Sequence, residues 1–278
     1  MRKFIFIATL AFAGVAAAAF KFKARIPAGI TVAVTAKYEL PSALREISAL
    51  AYLDATHFAC VQDESGHIYI YNTASAEVES KIRFYGPGDF EGLAVNGTTA
   101  WVLRSDGLIF QVKNYRSAAP VITQYKTPLT AGNNTEGLCF DRKNNRLLIA
   151  VKDSDPNGKN VKGIYAFSLQ TMKMAPEPVY RINQDDELFT SGKKKKKTGV
   201  HPSAIAINPV NDQLYVVDGP DPKILSLNRQ GRITSLVPLN RKEFKQPEGI
   251  TFSPSGELFI SNEGGNGAGN ILKVKLGG

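Results

Sequence analysis

Cysteine, histidine, tryptophan and methionine are scarce: the 278 residues hold two, three, one and three of them. Two cysteines cannot staple a chain of this length, and without a Cys-x-x-Cys pair no thiol redox motif or cysteine zinc site is encoded. Both lie in apolar runs, His57-Phe58-Ala59-Cys60-Val61 and Leu138-Cys139-Phe140, and read as buried small hydrophobes rather than as a bridge. Gly-x-Ser-x-Gly and His-Glu-x-x-His are also missing, which removes the common serine-nucleophile and zinc-pair signatures. What remains is ordinary globular composition, 43% hydrophobic and 21% charged with 24 Gly and 15 Pro, so a disordered or collagen-like chain is excluded.

The formal net charge of +9 is concentrated in two places. Arg2, Lys3, Lys21, Lys23 and Arg25 fall in the first 25 residues, and Lys193 to Lys197 form one run; without these ten charges the remainder carries −1. A broad phosphate-tracking face is therefore not expected, nor is nucleic acid as a partner. The lysine run reads as a solvated loop tip, with contact to an anionic lipid or polymer as the alternative.

Residues 1–20 read as an export signal or an N-terminal membrane anchor. Arg2-Lys3 supply the basic start, Phe4 to Val15 the apolar stretch and Ala16 to Ala19 the small residues of a cleavage site, while the run through Phe20 nearly reaches membrane-spanning length. No Cys lies near Ala19, so a lipoprotein anchor is not expected. Residues 21–28 then form a linker. The body is expected to be periplasmic or otherwise extracytoplasmic, secreted or held at the inner membrane, and to be a monomer.

One motif recurs through that body. Glu46-Ile-Ser-Ala-Leu, Glu91-Gly-Leu-Ala-Val, Glu136-Gly-Leu-Cys-Phe, Ser203-Ala-Ile-Ala-Ile and Glu248-Gly-Ile-Thr-Phe are spaced by 45, 45, 67 and 45 residues. The long interval contains the lysine run, so one insertion, at 184–200, explains both the broken period and the local charge. Each copy continues into a second apolar run, a turn and a third run. Four copies add a more polar fourth strand, and the fifth stops short of one. Ile30 to Tyr38 is an unassigned strand candidate rich in β-formers that can supply the missing strand. Radial four-stranded repeats of about 40–45 residues define a β-propeller. The expected fold is all-β: a five-bladed β-propeller over residues 29–278, closed by an N-terminal strand joining the last blade.

Four segments carry a family resemblance: Glu136-Gly-Leu-Cys-Phe-Asp, His201-Pro-Ser-Ala-Ile-Ala-Ile-Asn-Pro, Gln246-Pro-Glu-Gly-Ile-Thr-Phe-Ser-Pro-Ser-Gly and Phe259-Ile-Ser-Asn-Glu-Gly. In this order they resemble the SdiA-regulated family, distantly related to NHL-repeat propellers, over roughly residues 30–278. The resemblance implies a calcium-binding five-bladed propeller with an N-terminal signal or anchor. It brings no established reaction. The fourth copy departs from the Glu-Gly pattern at Ser203-Ala204, so a fully symmetric ring of carboxylates is not expected.

The residues themselves offer one strong site candidate. If Glu46, Glu91, Glu136 and Glu248 each open an innermost strand, four carboxylates face one channel mouth and raise one another's pKa unless a cation or buried donors compensate. Ca²⁺, with 6–8 oxygen ligands, suits such a set; the alternative is that each Glu latches backbone N–H groups of a neighbouring blade. Asp63, Asp153, Asp218, Asn262 and Glu263, after the second strands, either complete that shell or make turns. Asp153-Ser-Asp-Pro-Asn-Gly158 opens like an EF-hand loop but has Ile164 where the bidentate Glu belongs, so an ordinary turn is the simpler reading. His57 and His67 fall at strand edges. His201 is the one histidine able to reach the channel as a base or ligand, against a structural role. Gly264 to Gly269 opens no helix and reads as a turn. No catalytic residue is assigned. The functional expectation is an extracytoplasmic propeller that holds a cation and binds a small molecule or protein at the channel mouth. The alternative is a metal-dependent hydrolase of the lactonase or phosphoesterase kind.

Overall fold

The computed structural model describes residues 29–191 and 196–277. The export or anchor segment at 1–20, the linker at 21–28 and Lys193 to Lys195 lie outside the described residues. Among those described, no helix is long and apolar enough to cross a membrane.

Five antiparallel sheets follow one another along the chain. Their innermost strands are Ile47–Tyr52, Phe90–Asn96, Thr135–Asp141, Pro202–Ile207 and Pro247–Phe252. Each contacts the next, and the fifth contacts the first, so the sheets close a ring. Cohesion comes from five apolar clusters, one at each blade interface. Val61, Ile68 and Phe84 of blade one meet Phe90, Leu93 and Phe110 of blade two. Equivalent clusters join blades two and three, three and four, four and five, and five and one. The second strand of blade three shows why its apolar run is continuous: Leu147, Ile149 and Val151 pack towards blade two, while Leu148 and Ala150 pack towards blade four. A sheet buried on both faces needs apolar residues at both parities of the period-2 pattern.

The N-terminal strand Thr31–Glu39 pairs with the last strand, Asn270–Gly277, from Thr31 opposite Gly277 to Glu39 opposite Asn270. It supplies the fourth strand that the fifth copy lacks. The 184–200 insertion does more than make a loop. It forms a helical turn at Glu187–Phe189 and a short ladder of Thr190–Ser191 with Lys196–Lys197. Phe189 and Val200 are buried in the core between blades three and four. In blade three the expected outer strand is split, with Lys173–Met174 and Tyr180–Asn183 both pairing with Val161–Ser168.

Blade spacing at the axis is set by small residues. A Cβ on Gly92 would stand 2.6 Å from Leu138 Cβ of the next blade, and one on Gly249 would stand 2.6 Å from Leu50 Cδ2. The Glu-Gly pair is thus a packing device as well as a chemical one: glycine lets a neighbouring Leu seat against the backbone. Cys60 is buried between blades five and one and Cys139 between three and four, so both are free thiols in separate cores.

Candidate functional site

Strand pairing corrects the register of the repeated motif. Each innermost strand begins with a β-bulge: Ile47, Phe90, Thr135, Pro202 and Pro247 pair with the second strand, the next residue is skipped, and pairing resumes. The skipped residues are Ser48, Glu91, Glu136, Ser203 and Glu248. Glu46 is therefore not in the carboxylate column. It sits two residues earlier, at the level of Asp89, Asn134, His201 and Gln246, beside Arg45 at 3.2 Å. The ring position holds three glutamates and two serines. Both serines latch adjacent blades: Ser48 Oγ donates to Phe90 O at 2.6 Å and Ser203 Oγ to Pro247 O at 2.7 Å.

The same register revises the companion column. The residue after the paired end of the second strand is Asp63, Ser105, Lys152, Gly219 or Glu263. Ser105, Lys152 and Glu263 share a marker, a backbone N–H donated to the residue two before the ring position: Asp89 O, Asn134 O and Gln246 O. Asp153 lies one residue further and is exposed. Asp218 is buried and committed, accepting the His201 and Asp221 N–H groups at 3.0 Å each and the Lys223 ammonium at 2.7 Å. Asn262 donates to Asn270 Oδ1 at 2.9 Å. The EF-hand-like stretch is a turn built on Asp155, whose carboxylate accepts Asn157 N–H, Gly163 N–H and the Tyr165 hydroxyl.

Lys152 belongs to the same group, although the acidic motif does not point to it. Its ammonium lies 2.6 Å from Glu136 Oε2. Burial works against its charge, but the Glu136, Glu248 and Glu91 carboxylates outweigh this and hold its pKa above the ordinary value. The glutamates are less well compensated. Glu91 is pushed up to about 10, by burial first and then by the charges of Glu136, Asp89 and Glu248. Glu136 is pushed up to about 8, its burial outweighing the pull of Lys152. Glu248 rises to about 7, chiefly by burial. At the edge of the group Asp63 rises to about 6, through burial and the charges of Glu46 and Glu263. Burial and Glu46 raise Glu263 too. Glu46, Asp63, Glu91, Glu136, Glu248 and Glu263 thus form one electrostatically linked set at one end of the ring.

The calcium implied by the family resemblance can be tested against this donor set. Its chemistry fits, since the donors are oxygens and Glu91, Glu136 and Glu248, once ionised against a cation, together exceed the one charge of Lys152 by two. As the side chains stand, however, no three acidic, His or Cys groups among the described residues converge to hold a metal ion. The Lys152 ammonium lies beside Glu136 instead.

The other end of the ring differs. Beyond the glutamates, each innermost strand presents one large aliphatic residue: Leu50, Leu93, Leu138, Ile205 and Ile250, all buried. On their carboxylate side remains a void of about 10 Å³, the size of one water at most. On their far side a funnel of about 1240 Å³ opens, lined by this aliphatic ring, by Tyr52, Phe140 and Phe252, and by the connecting turns. Along each strand the ring glutamate and the aliphatic floor residue are two positions apart, about 7 Å at about 3.3 Å per residue, and the funnel opens from that floor towards the far strand end.

Fold and site define a five-bladed β-propeller with an acidic mouth, a closed apolar waist and an open funnel. Residues 189–273, spanning the fourth and fifth blades, match the model of the SdiA-regulated family. No curated protein matches the chain by sequence. The crystal structure of Myxococcus xanthus glutaminyl cyclase is similar with a TM-score of 0.61 and 15% identity, covering 89% of this chain and 97% of that one. A Bacteroides thetaiotaomicron protein of unknown function is similar with a TM-score of 0.54 and 14% identity, over 81% of this chain and 58% of that one. A luciferin-regenerating enzyme gives a TM-score of 0.51 and 12% identity, over 90% and 97%. At these identities the likeness is one of fold.

Proposed function

We propose that the protein is a binding module that takes a ligand in the funnel and a divalent cation, Ca²⁺ by the chemistry of its donors, at the acidic mouth. The observation that carries this reading is the funnel itself. It is a concave, largely preformed cavity with an aliphatic floor and aromatic walls, the usual character of a small-molecule site. Glu91, Glu136 and Glu248 are the residues that would hold the cation. It would supply the positive charge that Lys152 alone does not. The export or tethering read from residues 1–20 belongs to this proposal, and it sets the module outside the cytoplasm.

The separation of the two ends favours binding over the hydrolase reading. A Lewis acid acts on atoms it touches, and the aliphatic ring stands between the carboxylates and anything seated in the funnel. His201 is at the carboxylate end, its N–H bonded to Asp218, and no base is brought to the funnel floor by it.

N-phenyl-1-naphthylamine, an uncharged apolar fluorophore, tests the funnel. The expected result is saturable binding at one site per chain with enhanced, blue-shifted emission. Val95→Trp, which fills the funnel wall, is expected to reduce that binding at least ten-fold while the melting transition is retained. Unsaturable binding, or equal binding by the folded variant, would overturn the assignment.

A further inference from the structure

We infer that the funnel selects organic anions, molecules with an apolar body and one oxyanion head. This rests on the funnel being the binding site proposed above and names the class of ligand it takes. The body is dictated by the floor and walls, where Leu50, Leu93, Leu138, Ile205 and Ile250 meet Tyr52, Phe140 and Phe252. The head is dictated by the rim. Four cationic side chains line the funnel, Arg116, Arg142, Lys143 and Arg229, against two acids, Asp54 and Asp212.

Both acids are already engaged. Arg229 holds Asp212 through two hydrogen bonds, with Nε at 2.7 Å from Oδ2, and also reaches Asp141 at 3.0 Å. Lys143 stands 3.4 Å from Asp212. Asp54 accepts the Thr56 and His57 N–H groups and lies 2.8 Å from the His57 ring. Arg142 is left exposed, with no ion pair or side-chain hydrogen bond to any described residue. Arg116, on the neighbouring blade, is also exposed and makes no such bond, its charge acting at longer range on Glu79. The planar guanidinium is suited to carboxylate, sulfonate or phosphate oxygens.

At the rim the four cations outnumber Asp54, Asp212 and the buried Asp141 that Arg229 also holds, so the funnel mouth carries a net positive charge. A cleft of one sign with low-dielectric walls concentrates ions of the other. An anion entering by its apolar end leaves its head at the level of Arg116 and Arg142.

Displacement of N-phenyl-1-naphthylamine at neutral pH tests this, using decanoate, its uncharged counterpart decanol, and butyrate as a head with little body. Decanoate is expected to displace the fluorophore at a concentration about ten-fold below that of decanol, equivalent to about 1.4 kcal/mol, and butyrate is expected not to displace it. In Arg116→Gln/Arg142→Gln, decanoate is expected to fall to the level of decanol. Equal displacement by decanol and decanoate in the parent protein, or an unchanged decanoate preference in the double variant, would overturn anion selection while leaving the funnel as the site. Absence of saturable fluorophore binding, with no effect of either ten-carbon compound, would overturn the funnel reading and this inference with it.

Discussion

Removal of residues 29–39 is expected to abolish the stable ring. The strand Thr31–Glu39 is the outer edge of the fifth blade, and without it the N–H and C=O groups of Asn270–Gly277 on that side lose their partners. The loss also reaches inward. Val32 and Val34 pack on the core between blades four and five, and Tyr38 on the core between five and one. The buried Tyr71 donates its hydroxyl to Glu39 O at 2.8 Å. An exposed strand edge invites intermolecular pairing, so the shortened chain should aggregate or melt without a cooperative transition. A synthetic peptide of residues 29–39 should restore a cooperative melt by strand addition. Cooperative melting of the shortened chain within a few degrees of the parent would show that the ring closes by other means.

The second large effect is a loss of stability with rising pH. Glu136 and Glu248 bind protons more tightly in the folded chain, with pKa values raised to about 8 and about 7. Their ordinary value of 4.5 stands for the unfolded chain. Between these limits the folded state carries more protons than the unfolded one, so stability falls as pH rises. The contribution is complete below the unfolded value and gone above the folded one. Each retained proton is worth about 1.4 kcal/mol per pH unit. In chelator, these two glutamates alone give a loss on the order of 6 kcal/mol between pH 5 and pH 8.5, read as a fall in Tm on the order of 15 °C. Glu91 is held protonated in the same way, to about 10, so Glu91→Gln/Glu136→Gln/Glu248→Gln is the variant that should flatten this slope by removing the titrations. Saturating Ca²⁺ should flatten it in the parent by favouring the ionised carboxylates. A parent protein whose Tm is flat across this range in chelator would refute the electrostatic description of the acidic mouth.

The fold was legible in the sequence because a propeller repeats one solution five times. The 45-residue period, the insertion in the 67-residue interval and the missing last strand all have direct counterparts in the blades. The exact register was not legible. Matching Glu46 to Glu91 displaces the first copy by two residues, and a shift of two keeps every side chain on its own face. Hydrophobic pattern therefore cannot distinguish Glu46 from Ser48 as the ring residue; the bulge at Ser48 does.

Lys152 was hidden for a different reason. The acidic pattern after the second strands points to Asp153, although Lys152, directly after Leu147 to Val151, occupies the level of Asp63 and Glu263. The funnel had no local signal, because it is assembled from the ends of five strands and turns of unequal length. Its floor residues, Leu50, Leu93, Leu138, Ile205 and Ile250, were visible only as members of apolar runs.

The central claim is that the two ends of one axis bind chemically opposite partners, separated by an aliphatic ring. Anomalous diffraction from a crystal grown with both a terbium salt and a bromine-tagged decanoate tests it most directly. The account predicts a terbium peak among Glu91, Glu136 and Glu248, and a bromine peak over Leu50, Leu93, Leu138, Ile205 and Ile250 on the other side of the ring. Both peaks at the same end, or a terbium peak in the funnel, would contradict it.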